Sequence, residues 1–307
     1  MTLFLREGEP VRFSLAALSP LPAGLLTHTR HVFSQEFDSV VESTPQVPDI
    51  HTLSFSGRSK RAGDIQEVMD ELRGPALALK VDCALLTGDI AVDGPRMIVS
   101  DVDSTFIRDE VIEMIAAAAD VEELVRDITD QAMHGTIEFG ESLRQRVAAV
   151  RGVSTQMFAD VASRVTVTPG ARELIAAVHD RGGFFGLVSG GFHEVVDLFA
   201  EPLNVDGILA NRFEIAEGTL TGKTLGPVID RQAKARTLRE WANAEAIPLE
   251  LTAAMGDGAN DLDMMKIAGL SVAFCAKPIV IAQADAIITV ARFDILIALL
   301  GWDAPNI

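Results

Sequence analysis

The sequence predicts an α/β fold: a Rossmann-like parallel sheet with an inserted helical cap, preceded by a small N-terminal α+β domain. Three observations carry this. From Met97 onward, short apolar runs alternate with amphipathic helical stretches, the pattern of a parallel sheet covered on both faces. Those runs end in Asp, Gly or small polar residues, as 97-MIVSDVD-103, 184-FFGLVSGG-191 and 251-LTAAMGDG-258 do. Finally, a block rich in Ala, Glu, Leu and Arg, roughly 108–163, interrupts the alternation straight after the first of these strands. It is too long to be an ordinary connection.

Taken in order, residues 1 to about 50 mix Pro, Ser, Thr and short apolar pieces without periodicity, and no element is assigned there. Then 51-HTLSFSG-57 reads as a strand, 62-AGDIQEVMDEL-72 as an amphipathic helix and 76-ALALKVDCALL-86 as a second strand. The stretch 88-GDIAVDGPR-96 reads as a linker into the strand at Met97. After the cap, a helix begins at Pro169 and ends before Gly182, and another spans Arg231 to about Ala244. A buried strand, 270-LSVAFCA-276, follows. The expected division is an N-terminal domain over 1–93, a core over 94–107 and 164–307, and a cap over 108–163.

At 307 residues and 48% hydrophobic content, the chain has the length and apolar surface for a proper core. With 26 Lys and Arg against 44 Asp and Glu the net charge is −18, which repels phosphate backbones and anionic membranes. No nucleic-acid or membrane partner is expected. An anionic small substrate requires local cations or a metal to offset that field. Cys83 and Cys275 stand in no disulfide or zinc spacing, which fits a cytoplasmic location. The uncharged stretch Phe13 to Thr27 contains Pro20 and Pro22 and follows Glu7 and Glu9, so it reads neither as a signal peptide nor as a membrane span.

Four segments carry chemistry. In 99-VSDVDSTFIRDE-110, Asp101 and Asp103 stand one residue apart at a strand's end, where extended backbone points both to one face. An isolated D-x-D fits an Asx turn at least as well. A calcium loop is excluded, because its sixth position is Phe106 rather than Gly and its twelfth is Ile112 rather than Glu. In 256-GDGANDLDMM-265, Asp257, Asn260 and Asp261 cluster after another strand, with Gly256 and Gly258 permitting close backbone approach. Carboxylates from two strand ends form a hard-oxygen site of the kind magnesium prefers; a solvated helix start is the plain alternative. In 187-LVSGGFHE-194, Ser189 and the amides of Gly190 and Gly191 make an anion cradle at a helix start, or a plain turn. The spacing around Ser189 is not that of a nucleophile elbow, and His193 is assigned no role. The fourth is Lys234 in 230-DRQAKARTL-238, which by itself reads as a solvated helix lysine; nearby, 218-GTLTGKT-224 has one spacer too few for a phosphate-binding P-loop.

The cap adds one residue where geometry speaks. In 139-FGESLRQRVAAV-150, Phe139, Leu143, Val147 and Val150 define one helical face. Arg146 falls within that face and Arg144 well off it. An inward guanidinium takes a carboxylate or phosphate partner, either a substrate or an internal acid.

Together, 101-DVDST-105, 188-VSGGF-192, Lys234 and 256-GDGAND-261 resemble the haloacid dehalogenase superfamily, within it the phosphoserine phosphatases. Further similarities are 110-EVIEMIA-116, 131-QAMHG-135, 139-FGESLRQRV-147, 210-ANRFEI-215, 221-TGK-223 and 274-FCAKP-278. The resemblance spans about residues 97–300; Phe106 departs from it, standing where an aliphatic residue is expected. It implies Mg²⁺-dependent hydrolysis of O-phospho-L-serine through an aspartyl-phosphate, the last step of serine biosynthesis. By the same resemblance Asp101 is the nucleophile and Asp103 the proton donor and base. Magnesium is held by Asp101, the Asp103 backbone carbonyl and Asp257, and the phosphoryl group by Ser189, Gly190 and Lys234. Arg146 takes the substrate carboxylate, Glu110 the ammonium, Met133 and Phe139 line the pocket, and Asn260 and Asp261 position the phosphate and metal shell. Two alternatives stand: a phosphatase or phosphotransferase for another small phosphomonoester such as phosphohomoserine, and an amino-acid-sensing regulator on a phosphatase scaffold. A regulatory or homodimerising role for residues 1–93 is open.

Overall fold

The computed structural model describes residues 4–133 and 136–305, with the side chains of Asp130, Ala132 and Met133 outside the description. Among the described residues, eleven strands form one sheet. Its centre is parallel: Gly207–Ala216, Phe184–Phe192, Met97–Asp101, Thr252–Gly256, Leu270–Phe274 and Ala286–Ile288 lie side by side. Every residue of Met97–Asp101, Thr252–Gly256 and Leu270–Phe274 is buried, as a sheet covered on both faces requires, and their unbroken apolar runs follow from it. Successive side chains enter opposite layers: Ile98 packs in the larger core cluster, Met97 and Val99 in the one beneath the helix Arg231–Ala244.

The N-terminal region joins the same sheet. Asp82–Thr87 pairs antiparallel with Ala286–Ile288, and Pro10–Ala17, His51–Ser59 and Phe37–Ser43 follow outward. These strands, with the helices Ala23–Glu36 and Gln66–Ala78, enclose a core of their own around Phe13, Phe33 and Phe55. One expected element moves. The strand expected from Ala76 begins only at Asp82, because the helix Gln66–Ala78 continues through Pro75. A proline inside a helix frees the carbonyl four residues earlier. Here that carbonyl, on Glu71, accepts a hydrogen bond from His28 Nε2 at 3.0 Å, so it keeps a partner. The stretch expected as a linker carries the short helix Ile90–Asp93, with Ile90 and Ala91 buried.

Between Met97–Asp101 and Phe184–Phe192 the chain forms the helices Val111–Ala118, Glu122–Met133, Phe139–Ala149 and Met157–Arg164, then Ala171–His179. The exit and return of this helical segment are tied together. Ile107 bridges Val167, Arg108 N–H donates to Thr166 O at 3.0 Å, and Asp109 Oδ2 accepts from Thr166 N at 2.6 Å. That clasp sets the four helices over the carboxyl end of the sheet. Among the described residues no helix is long and apolar enough to cross a membrane.

Candidate active site

The register places Asp101 beside Val188, and Ser100 beside Met255. The carboxyl ends of three adjacent strands therefore meet at one point, where open α/β sheets hold their ligands. The strand stops at Asp101. Val102–Phe106 forms one wide turn with Ser104 in the left-handed region at φ 57°. This turn, rather than extended backbone, brings Asp103 back to the same cavity as Asp101, a correction to the strand-face argument that leaves the convergence intact.

Asp101 is buried. Its Oδ1 accepts from the Val102 amide at 2.7 Å and meets Lys234 Nζ at 2.7 Å, and its Oδ2 accepts from Asn260 Nδ2 at 3.3 Å. Asp103 Oδ1 accepts from Val111 N at 2.8 Å and Oδ2 from Ser189 Oγ at 3.2 Å. Burial first, then the Asp101 charge, push the Asp103 carboxyl up to about 6, against the hydrogen bonds from Val111 and Ser189.

Lys234 projects from the helix Arg231–Ala244, whose start is capped by Asp230 accepting from Ala233 N at 2.8 Å. Its side chain is only 2% exposed, and Nζ also meets Asp261 Oδ1 at 2.8 Å. Burial works to discharge it, but the charges of Asp101 and Asp261 outweigh burial and hold the ammonium protonated. One cation shared by two carboxylates cannot neutralise both. Burial and the charge of Asp101 accordingly push Asp261 up to about 8. Its Oδ2 accepts from Gly258 N at 3.1 Å. A Cβ at position 256 would lie 2.3 Å from Asp261 Cγ, so only glycine ends that strand without moving the carboxylate.

Carboxylate oxygens of Asp101, Asp257 and Asp261 lie within 4.8 Å of one another. Lys234 engages both Asp101 and Asp261, and the three carboxylates together are the acidic donors of the site. Burial and the Asp101 charge raise Asp257 to about 6, with Lys277 opposing. Buried carboxylates that repel one another fit a hard divalent cation, which would relieve that repulsion.

Beside them Ser189 Oγ accepts from Gly191 N at 2.8 Å. A Cβ on Gly191 would come 2.9 Å from Asp103 Oδ2, and one on Gly190 3.1 Å from Phe139 Cζ. The helical segment thus closes directly onto the glycines. From it, Arg146 is buried as its helical face predicts, 6.0 Å from the Phe139 ring centroid, with Nε donating to Ser142 O at 3.4 Å. No carboxylate lies within ion-pair distance of Arg146 among the described residues, whereas the outward Arg144 pairs with Glu141 at 2.7 Å. Glu110 accepts from Ser104 Oγ at 2.9 Å, and burial together with the Asp103 charge pushes it up to about 8. Asp101, Asp103, Glu110, Arg146, Lys234 and Asp257 line one cavity of about 920 Å³. The Met133 side chain lies outside the described residues.

His193, assigned no role, is accounted for as structure. The Ala210 amide can only donate, so Nε2 accepts it at 3.0 Å and Nδ1–H donates to Asp197 at 2.8 Å. The sequence reading missed Asp230, whose cap fixes the Lys234 helix, and Lys277, whose charge opposes the shift of Asp257. A helix-start Asp was legible as a capping signal; Lys277 stood in 274-FCAKP-278 with no role assigned to it.

Residues 98–266 match the family model of haloacid dehalogenase-like hydrolases. The chain belongs to that family. It is 46% identical over 226 residues to the phosphoserine phosphatase of Streptomyces coelicolor, covering 74% of this chain and 55% of that one. To the phosphoserine phosphatase of Streptococcus thermophilus it is 45% identical over 193 residues, 63% of this chain and 90% of the relative. A substrate-bound phosphoserine phosphatase structure superposes with a TM-score of 0.63 at 40% identity, over 66% of this chain and 97% of that one. The chain thus spans about half the length of the Streptomyces relative.

Proposed function

We propose that this chain hydrolyses O-phospho-L-serine to L-serine and phosphate, with Mg²⁺ and through an aspartyl-phosphate on Asp101, as the last step of serine biosynthesis. The observation that carries it is the single cavity in which Asp101, Asp103 and Lys234 face Glu110 and Arg146. A phosphate-handling floor, a guanidinium and a carboxyl group share one space. The relatives, phosphoserine phosphatases by name, support the same substrate.

Val102 N–H and Lys234 hold Asp101 Oδ1, and Oδ2, met at 3.3 Å by Asn260 Nδ2, is the atom that attacks phosphorus. As the phosphorus–serine oxygen bond breaks, Asp103 gives its proton to the leaving oxygen. Its carboxyl, raised to about 6, keeps a useful protonated fraction near neutrality. Asp103 then takes a proton from the water that attacks the aspartyl-phosphate, releasing phosphate and restoring Asp101. Lys234, Ser189 and the Gly190 amide hold phosphoryl oxygens, and Asn260 steadies the attacking carboxylate. Arg146 grips the substrate carboxylate and Glu110 its ammonium, which would draw the Glu110 proton away on binding. Phe139 walls the pocket. Asp101, Asp257 and the Asp103 backbone carbonyl would hold Mg²⁺, which supplies charge neutralisation for a phosphate dianion approaching carboxylates.

In this reading residues 1–93 are a regulatory or dimerising unit on a catalytic core of 94–107 and 164–307, with 108–163 as cap, and the enzyme acts in the cytoplasm. Serine inhibition and the oligomeric state of the full chain, before and after substitutions at its exposed edge strand Phe37–Ser43, test that role. The primary test is phosphate release from a panel of phosphomonoesters, with Mg²⁺ and with chelator. Magnesium-dependent release favouring phosphoserine is expected; no release from phosphoserine in magnesium refutes the proposal.

A further inference from the structure

The anion cradle is a break in the sheet. Val188 pairs with Leu209, yet the next pair is Phe192 with Asn211, so Ser189, Gly190 and Gly191 all oppose Ala210 alone. Such a bulge strips backbone groups of their ladder partners, and buried backbone groups must find others. The Ala210 amide finds His193. The Gly190 carbonyl finds Asn211, whose Nδ2 donates to it at 2.8 Å while its Oδ1 accepts from Ile229 N at 2.9 Å. A carbonyl only accepts and an amide N–H only donates, so the orientation of this side chain is fixed by its partners. Asn211 is 2% exposed.

The consequences run in two directions. The Gly190–Gly191 peptide is planar, so pinning its carbonyl also aims its N–H, which donates to Ser189 Oγ at 2.8 Å. That bond occupies a lone pair of Ser189 and leaves its hydroxyl hydrogen for Asp103 Oδ2 at 3.2 Å. Donor follows donor without reversal from Ile229 through Asn211, the glycine peptide and Ser189 to Asp103. On the other side, Ile229 directly precedes Asp230, the cap of the helix that carries Lys234.

We propose that Asn211 is a positioning residue for phosphoryl transfer: it sets the direction of the Ser189 hydroxyl through the Gly190–Gly191 peptide and ties the cradle to the start of the Lys234 helix. The inference rests on the phosphatase reading above. Asn211 touches no substrate and acts only through these neighbours.

The test is Asn211→Asp, of equal size. It keeps the acceptor for Ile229, but an ionised carboxylate has no proton for Gly190, whereas a protonated one does. The expected result is a kcat for phosphoserine about 10²-fold below the unaltered protein at pH 8, with the ratio between the two recovering as pH falls to about 5.5. His193 and Glu194, which bond the amides of Ala210 and Phe213, are present in both proteins and cancel in that ratio. Asn211→Leu should stay low at every pH and lose hydrogen-exchange protection at Asp103-linked Ser189 and Gly191. Should it not fold, Asn211→Ser, too short for both bonds, takes its place with the same readouts. A ratio within about threefold of one at pH 8, or flat with pH, overturns the role of Asn211 if the unaltered protein is active. An inactive unaltered protein counts against the phosphatase reading instead, and the Gly191 exchange protection then decides on Asn211 separately: unchanged protection in Asn211→Leu overturns it.

Discussion

Replacing Lys234 with methionine removes one charge from a site that holds two carboxylates against it. The ammonium lies 2.7 Å from Asp101 Oδ1 and 2.8 Å from Asp261 Oδ1, with its side chain 2% exposed. At an effective dielectric near 20 each contact supplies roughly 6 kcal/mol of Coulomb attraction. Stripping the ions of water offsets most of this, and measured losses on deleting one member of a buried pair are about 3–5 kcal/mol. Methionine fills the volume, so the loss is electrostatic and therefore depends on pH. Without the ammonium, which opposes its rise, Asp261 holds its proton to still higher pH when folded than when unfolded. A carboxyl raised in this way costs stability above its folded-state value and ceases to do so once pH falls below its unfolded value near 4. Urea unfolding should show Lys234→Met less stable by about 3–5 kcal/mol at pH 8, with the deficit shrinking steadily towards pH 5. Phosphate release should fall by at least about 10³-fold at pH 8. A variant that unfolds with the unaltered protein at both pH values, or turns over within tenfold of it, refutes the assignment of Lys234 as the shared countercharge.

Arg146→Leu should lower kcat/KM for phosphoserine by about 10- to 10²-fold, the worth of a charged hydrogen-bonded contact, and change p-nitrophenyl phosphate hydrolysis little; equal loss on both substrates contradicts the carboxylate grip. Glu110→Gln should stabilise the substrate-free protein at pH 8, because a carboxyl raised to about 8 costs stability above its unfolded value, and should raise KM for phosphoserine; a lower unfolding midpoint at pH 8 would tell against it. Gly256→Ala, with a Cβ 2.3 Å from Asp261 Cγ, should cost about 1–3 kcal/mol and reduce turnover, checked by urea midpoint and phosphate release; neutral behaviour in both would show that Asp261 moves freely.

The parallel core was legible because its strands are buried on both faces and read as continuous apolar runs, and the helical segment because no ordinary connection has its length. Arg146 was legible from helical phase alone: the face holding Leu143 and Val147 is buried, and Arg146 lies in it. The first 50 residues were not. Phe37–Ser43 is an edge strand exposed along nearly its whole length, so no burial imposes alternation on it. The helix through Pro75 depends on His28, 43 residues away in sequence from Glu71, a partner that no local pattern announces. Asp101 and Asp103 stood out by type and spacing, yet what aims Asp103 is a turn through Ser104 rather than strand geometry. Asn211 stood within 210-ANRFEI-215 but nothing local announced its role, since its task arises only where a bulge leaves Gly190 without a ladder partner.

The central claim is that Asp101 takes the phosphoryl group from phosphoserine. Rapid acid quench of a single turnover with labelled O-phospho-L-serine and Mg²⁺ tests it most directly. The account predicts a transient phosphoprotein, sensitive to hydroxylamine as acyl phosphates are, mapping to Asp101 and absent from Asp101→Asn. Turnover with no label on the chain, label on another residue, or undiminished phosphate release by Asp101→Asn would contradict it.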